Sequence, residues 1–261
     1  MIPIALLHWR GTSGDQHPPS QYDSFKRYNM PKILRLLSAT FVLALLLAGC
    51  GESPRQAKGA KIMTMGDSHF AANLGRDKSV SQHIEKALRV PVLDRSVMGA
   101  QMDFALPISG ALGMSIPKQY VAGDWEWVVL NGGGNDLWIG CGCFACTRTM
   151  AKLISPDGER GQIPSLVQKL RANRARVIYV GYLRSPGFGS PIEHCRDLGN
   201  EMERRVAEMA KRDAGVTYLS LQDLVPYGDR SFHAPDRIHP SPKGSAAMAQ
   251  RIIKVIKAEE G

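Results

Sequence analysis

The sequence lacks the patterns that mark several large classes of protein. Its 33 basic and 24 acidic residues are scattered, with no run of lysine and arginine of the kind that binds nucleic acid. The glycines at 132–134 are not followed by Gly-Lys-Ser or Gly-Lys-Thr, so they do not form a phosphate-binding P-loop. The serine at position 68 does not lie in a Gly-x-Ser-x-Gly elbow. We therefore expect no nucleic-acid partner and no nucleotide held by a P-loop.

The apolar run near the N-terminus is too short to cross a bilayer in the usual way. Residues 36–49 are apolar except for Ser38 and Thr40, and as a helix they rise about 21 Å, against roughly 30 Å for the hydrocarbon core. Basic residues precede this run and small residues end it, a pattern typical of a secretory signal. The alternative is an uncleaved anchor helix. Both interpretations place the rest of the chain outside the cytoplasm.

The signal-like segment ends in Leu47-Ala48-Gly49-Cys50, which resembles the lipobox of bacterial lipoproteins. The resemblance implies that Cys50 is lipidated and becomes the mature N-terminus, so that the protein is anchored to a membrane on the periplasmic side of a bacterial envelope, or else secreted. We predict a non-native or disordered extension over residues 1–29, a signal peptide over 30–50, a linker over 51–59 and one domain over 60–261.

Short apolar strands alternate with amphipathic helices along the predicted domain. Ser79 and Gln82 have the spacing of a capping box at the start of the first long helix, and Met102 to Leu112 predicts another helix despite its glycines and proline. This alternation implies a parallel sheet with helices on both faces. We predict strands near residues 62–65, 91–94, 125–130, 177–180 and 216–221, with later helices near 163–170, 202–210 and 242–256.

Polar residues stand beyond the carboxyl ends of these strands, where ligands bind in a parallel sheet. Ser68 follows the first strand, and a serine nucleophile needs a base together with a group that orients the base. Asp236 and His239 are three residues apart, so one turn can bring carboxylate and imidazole together. An acyl transition state also needs donors for its oxyanion. The N–H groups of Ser68 and Gly99 and the side-chain amide of Asn135 are the candidates.

Four spaced blocks resemble those of the SGNH (GDSL-like) hydrolases, a family of serine esterases and lipases. They are Gly66-Asp67-Ser68-His69, the glycine Gly99, Gly133-Gly134-Asn135-Asp136, and Asp236-x-x-His239. The resemblance covers about residues 60–257. It implies that Ser68 is the nucleophile, His239 the base and Asp236 its orienting group, with oxyanion donors on Ser68, Gly99 and Asn135. It also implies a three-layer α/β/α sandwich, with a flavodoxin-like parallel sheet of five strands in the order 2-1-3-4-5.

The predicted function is ester hydrolysis through an acyl-enzyme, without a metal or an organic cofactor. The substrate is expected to be an acylated envelope or extracellular molecule, either an O-acylated glycan or a small ester. Two alternatives stay open: an O-acyltransferase with the same triad, and a non-catalytic envelope binding protein on the same fold. His69 departs from the family motif, which has leucine there, and so puts a polar group beside the nucleophile. His233 has no carboxylate at matching spacing and is predicted to be a surface-loop histidine.

Four cysteines besides Cys50 follow the Asn135 block, namely Cys141, Cys143, Cys146 and Cys195. Four thiolates could hold a structural zinc, but an oxidising compartment favours two disulfides. Three pairings are possible, and in each Cys195 bonds one of the clustered cysteines and closes a circuit of about 50 residues. Such a bond would tie the loop after the fourth strand to the oxyanion loop. Three aromatic residues on these loops either line a pocket or only pack the loops, namely Trp138, Phe144 and Phe188.

Overall fold

The fold is built on a parallel sheet whose short strands are largely buried. The computed structural model describes residues 59–260. The strands are β1 (Ile62–Met65), β2 (Val92–Asp94), β3 (Trp127–Leu130), β4 (Arg176–Val180) and β5 (Val216–Leu219). They pair in the order β2-β1-β3-β4-β5, and each pair is parallel. The predicted strand order is therefore confirmed.

Helices connect the strands and cover the sheet. Shorter turns of 3₁₀ helix occur at Leu74–Arg76, Glu193–Cys195 and Arg230–Phe232. The α-helices of the described residues are α1 (Ser68–Ala71), α2 (Val80–Leu88), α3 (Pro107–Ser109), α4 (Ile116–Gln119), α5 (Gly134–Cys141), α6 (Thr147–Leu153), α7 (Gln162–Ala172), α8 (Arg196–Ala210) and α9 (Pro242–Glu260).

Apolar side chains pack on both faces of the sheet, because successive residues of a strand point to opposite sides. On one face Ile62 belongs to a cluster with Ile84 of α2 and Ile252 of α9. On the other face Met63 belongs to a cluster with Val206 of α8. Two helical layers thus enclose the sheet, which is the predicted three-layer α/β/α sandwich.

The start of the first long helix is as predicted. The Ser79 hydroxyl accepts a bond from the Gln82 N–H at 3.3 Å, and the Gln82 side chain accepts one from the Ser79 N–H at 2.9 Å. The capping box is therefore complete, and it satisfies two N–H groups that the helix itself leaves unpaired.

The helix predicted over Met102 to Leu112 is wrong. Gln101 forms a β-bridge with Ser115, and only Pro107–Ser109 is α-helical before a π turn at Gly110–Met114. Gly113 has a φ of +105°, so the chain leaves the right-handed helical region there. Proline fits the first turn of a helix but not its interior, which explains why the helix begins at Pro107.

Several predictions concern residues outside the described range. The extension, the signal peptide, Cys50 and the linker up to residue 58 all lie outside it. Within residues 59–260, no helix combines the length and the apolar character needed to cross a membrane.

Candidate active site

The turn after β1 depends on a glycine that no other residue could replace. Gly66 has a φ of +152°, and a Cβ atom there would lie 1.7 Å from the side-chain oxygen of Asn131. The backbone of Gly66 is held on both sides by Gln119, whose Oε1 accepts its N–H at 2.7 Å and whose Nε2 donates to its carbonyl at 2.8 Å. This turn delivers Ser68 to the first position of α1.

Asp67 and Asn131 join the Ser68 turn to the end of β3. The Asp67 N–H donates to Asn131 Oδ1 at 3.1 Å, and Asn131 Nδ2 donates back to Asp67 Oδ1 at 2.8 Å. Asp67 also caps α1 by accepting a bond from the N–H of His69 at 3.0 Å. Both side chains are almost fully buried, so the turn has little freedom to move.

Asp236 and His239 form the pair that their spacing predicts. His239 Nδ1 lies 2.6 Å from Asp236 Oδ2, while Asp236 Oδ1 accepts bonds from the N–H groups of Ile238 and His239 at 2.9 and 3.0 Å. Partial burial raises the pKa of Asp236, but the hydrogen bonds from His239 and Ile238 outweigh that effect and leave the pKa below its usual value. Asp236 is therefore a carboxylate at neutral pH.

Ser68 lines a pocket that extends to the neighbour of His239, but Ser68 is not bonded to the Asp236–His239 pair. Ser68 and Ile238, the neighbour of His239, both line the pocket. Within residues 59–260 the His239 ring bonds to Asp236, and no hydrogen bond joins Ser68 Oγ to His239 Nε2. Catalytic hydrogen bonds are often long before a substrate binds, and they tighten in the complex.

The two backbone N–H groups predicted to be oxyanion donors are unused. Among the described residues, neither the Ser68 N–H nor the Gly99 N–H donates to a protein atom. Gly99 has a φ of +76°, a conformation that favours glycine. Asn135 Nδ2 donates one hydrogen to the Ala100 carbonyl at 3.0 Å. An amide has two such hydrogens, so its second one stays available.

Helix α5 holds the segment after Gly99 in place. The Asp136 carboxylate accepts bonds from the N–H groups of Met102 and Asp103 at 2.9 and 2.7 Å. Gln101 Nε2 donates to the Asn135 carbonyl at 3.3 Å. Burial raises the pKa of Asp136, although these N–H groups act in the opposite direction. Asn135 and the Gly99 segment are therefore fixed relative to each other.

A pocket of about 100 Å³ opens beside Ser68 and Asn135. Trp138 lines it, whereas Phe144 and Phe188 are 84% and 89% exposed and do not. Of the three aromatic residues considered for a pocket, only Trp138 therefore has that position. The other apolar side chains of the wall are Leu137, Leu183, Ile192, Met202 and Ile238.

A buried ion pair forms part of the pocket wall. Arg184 Nη1 and Nη2 donate to the two carboxylate oxygens of Glu203 at 2.8 and 2.7 Å. Glu203 also accepts bonds from the Tyr182 N–H at 2.9 Å and from the Tyr218 hydroxyl at 2.6 Å. A carboxylate with this many donors is well satisfied, so the wall is rigid and electrically balanced.

The three clustered cysteines and Cys195 form two disulfides, as predicted. One joins Cys141 to Cys146, and the other joins Cys143 to Cys195 across 52 residues. All four sulfur atoms are used in these bonds, so the zinc alternative is wrong. Cys195 also lines the pocket, so the longer bridge ties the segment after α5 to the pocket rim.

Two further histidines lie near the site, and one prediction about them is wrong. His233 is buried, with neither ring nitrogen hydrogen-bonded among the described residues, so it is not a surface histidine. His69 lines the pocket and is also buried, and its ring meets that of Tyr182 edge-on at 4.8 Å. Burial lowers the pKa of His69 to about 4, and the charge of Asp67 only partly opposes this effect. His69 is therefore neutral at pH 7.

Three residues that hold the site, Asn131, Gln119 and Tyr182, were not among those predicted from the sequence. Asn131 directly follows β3, so its place at the carboxyl end of a strand is a signal that could have found it. Gln119 reaches Gly66 from 53 residues away, on a helix of four residues, and no local pattern marks it.

Comparison with known protein families identifies the class of protein to which this fold and the Ser68 site belong. The sequence model of the GDSL-like lipase/acylhydrolase family matches residues 64–247. The chain belongs to this family, which confirms the resemblance seen in the four blocks. No curated protein matches the sequence.

Solved structures share the fold at low sequence identity. A GDSL-like lipase from Bacteroides thetaiotaomicron is 16% identical with a TM-score of 0.53, over 84% of this chain and 97% of that one. A family two carbohydrate esterase from Clostridium thermocellum, in complex with cellohexaose, is 20% identical with a TM-score of 0.52, over 81% of this chain and 67% of that one.

Proposed function

We propose that the chain hydrolyses esters through an acyl-enzyme formed on Ser68. The observation that carries this proposal is the 2.6 Å hydrogen bond between Asp236 and His239 beside a pocket that Ser68 lines. Asp236 would hold the Nδ1–H of His239, which leaves Nε2 free to act as a base. Membership of the GDSL-like family supports the same reaction class.

The proposed reaction has two steps, acylation of Ser68 and hydrolysis of the acyl-enzyme. Ser68 Oγ attacks the ester carbonyl while His239 Nε2 takes the hydroxyl proton, and the alcohol then leaves with that proton. In the second step water attacks the carbonyl of the acyl-serine while His239 Nε2 takes a proton from the water. Ser68 Oγ then leaves with that proton, and the acid is released. In both steps the oxyanion would accept bonds from the two free N–H groups and from Asn135. Each donor of this kind is typically worth ~3 kcal/mol of the barrier.

The pocket favours a short acyl group. Its volume is about 100 Å³, whereas a dry protein cavity of about 150 Å³ holds benzene. Its wall is mainly apolar, and its ion pair is internally balanced. We infer an O-acylated glycan or a small ester of a short acid. The complex of the similar carbohydrate esterase with cellohexaose supports a glycan as the alcohol part.

The experiment is a comparison of Ser68→Ala with Ser165→Ala. Ser165 lies on the exposed side of α7 and serves as the matched control. Hydrolysis of p-nitrophenyl acetate and acetylated sugars should be lost in Ser68→Ala alone, since triad losses in kcat are near 10⁶. A serine-directed phosphonate should add its mass to the Ser68 peptide. Residual kcat above about a thousandth of wild type would contradict the nucleophilic role.

The same experiment separates the alternatives. With a sugar acceptor present, transfer of the acyl group in excess over hydrolysis would assign an acyltransferase. If the folded chain turns over no ester of the panel and Ser68 takes up no phosphonate label, the result would favour a non-catalytic envelope binding protein.

We also infer that lipid on Cys50 anchors the protein to a bacterial envelope. The support is the sequence pattern that ends at this residue. In a bacterial host, membrane-bound protein should carry a lipidated N-terminal Cys50, and Cys50→Ala should abolish the modification. An unmodified N-terminus upstream of residue 50 in the membrane fraction would favour an anchor helix instead.

A further inference from the structure

Tyr182 touches both of the segments that carry the proposed oxyanion donors. Its hydroxyl donates to Asp67 Oδ2 at 2.5 Å, in the turn that presents Ser68. The same hydroxyl accepts the N–H of Gly134 at 2.9 Å, at the first position of α5. The next residue of α5 is Asn135. One oxygen atom thus bridges the Ser68 turn and the Asn135 helix.

The approach of Tyr182 to α5 requires a residue without a side chain at position 134. A Cβ atom on Gly134 would lie 2.7 Å from Tyr182 Cζ and 2.9 Å from its hydroxyl oxygen. Gly134 does not have a left-handed φ, so its backbone alone would tolerate alanine. The glycine of this block is therefore explained by close contact with the tyrosine.

The protonation state of the Tyr182 hydroxyl fixes the direction of its hydrogen bonds with Asp67 and Gly134. Burial raises the pKa of Tyr182 well above its usual value, and the charge of Asp67 acts in the same direction. The hydroxyl therefore keeps its proton and donates a hydrogen bond to the Asp67 carboxylate. Its lone pair is then free to receive the N–H of Gly134, which α5 itself leaves unpaired. The Tyr182 N–H bonds to the buried Glu203, which fixes the tyrosine backbone.

We propose that Tyr182 is a positioning residue that sets the distance between the Ser68 N–H and the Asn135 amide. This inference rests on the proposed function, because the distance matters only if these groups share an oxyanion. Oxyanion donors act only when they are held within about 0.5 Å of their productive positions. Displacement by about 1 Å can cost roughly 10²-fold in rate.

The test compares Tyr182→Phe with Tyr218→Phe. Both variants remove a hydroxyl that donates to a buried carboxylate, Asp67 in the first case and Glu203 at 2.6 Å in the second. Tyr182→Phe should lower kcat by ~10- to 100-fold while KM stays within about threefold, because only transition-state contacts are lost. Tyr218→Phe removes one of several donors to Glu203 in the pocket wall but no bond to the Ser68 turn or to α5, so its loss of kcat should stay below about threefold. The rate at which a phosphonate labels Ser68 should fall with kcat in Tyr182→Phe only.

Gly134→Ala gives a second, independent variant. Its Cβ should displace the Tyr182 hydroxyl without removing it, so kcat and the labelling rate should fall together as in Tyr182→Phe. The inference is overturned if Tyr182→Phe has the kcat of Tyr218→Phe, or if its loss lies in KM. Failure of the proposed function itself has a different signature, namely a wild-type chain without ester hydrolysis and without a label on Ser68.

Discussion

Replacing His69 by leucine should remove a pH-dependent contribution to the free energy of unfolding. His69 is 4% exposed, and burial lowers its pKa to about 4, against 6.5 for an unperturbed histidine. Asp67 and Glu203 raise this pKa and His239 and His233 lower it, but burial is the largest cause. Between pH 6.5 and pH 4 the unfolded chain therefore binds a proton that the folded chain does not. Acid then favours the unfolded state.

The size of the effect follows from the two pKa values. For a folded pKa of about 4, lowering the pH from 7 to 5 should cost wild type about 2 kcal/mol through His69 alone. Leucine does not titrate, so His69→Leu should be spared this loss. Carboxylates that also titrate in acid are common to both proteins and cancel in the comparison.

The assay is urea unfolding at pH 7, 6 and 5 for wild type, His69→Leu and the control His83→Leu. His83 lies half-buried on α2, and its pKa is lowered by burial and, to a smaller extent, by Lys86 and Lys78. The difference in the free energy of unfolding between wild type and His83→Leu should change with pH much less than the difference between wild type and His69→Leu. Equal losses for wild type and His69→Leu between pH 7 and pH 5 would refute the reasoning. So would an NMR titration that places the His69 midpoint near 6.5.

Other predictions concern the longer disulfide, the acyl pocket and the orienting carboxylate. Cys195→Ser opens a 52-residue circuit, so urea unfolding should show a loss of about 4 kcal/mol; kcat should also fall by more than KM rises, and an unchanged kcat would limit the bridge to stability. Hydrolysis of p-nitrophenyl esters should decline beyond acyl groups of about six carbons, because the pocket is small. Ile192→Ala should move that limit to longer chains, and an unmoved limit would place the acyl group elsewhere. Asp236→Asn should lower kcat by roughly 10⁴-fold with the fold intact, and a loss below about tenfold would exclude an orienting role.

The strands and the four blocks were predictable because their signals are local. β3 is apolar at every position and β1 at every position but Thr64, and both are buried throughout, so each has the apolar run and length typical of a buried strand. Polar residues that follow such runs must lie at the carboxyl edge of a parallel sheet. Asp236 and His239 lie within one turn of each other, so their contact needed no knowledge of the tertiary structure.

The remaining features depend on contacts between distant segments. Helices α1 and α5 span four and eight residues, too few to show a helical apolar repeat. His233 is polar and close to two carboxylates along the chain, yet tertiary packing buries it. The cysteine pairing was one of three possibilities, because spacing alone does not determine connectivity.

The geometry of the site is organised around α5 rather than around the Ser68 turn. Three loops, each from a different strand, are linked to this helix, two of them directly and the third through Tyr182. Asn135 and Asp136 hold the loop after β2 through its backbone, and the Gly134 N–H meets Tyr182 from the loop after β4. Tyr182 in turn holds the turn after β1 through Asp67. In the proposed reaction Ser68 supplies the nucleophilic oxygen, and the Tyr182 hydroxyl links its turn to the first residue of α5. Substitutions on the first turn of this helix should therefore disturb the chemistry more than their distance from Ser68 along the chain suggests.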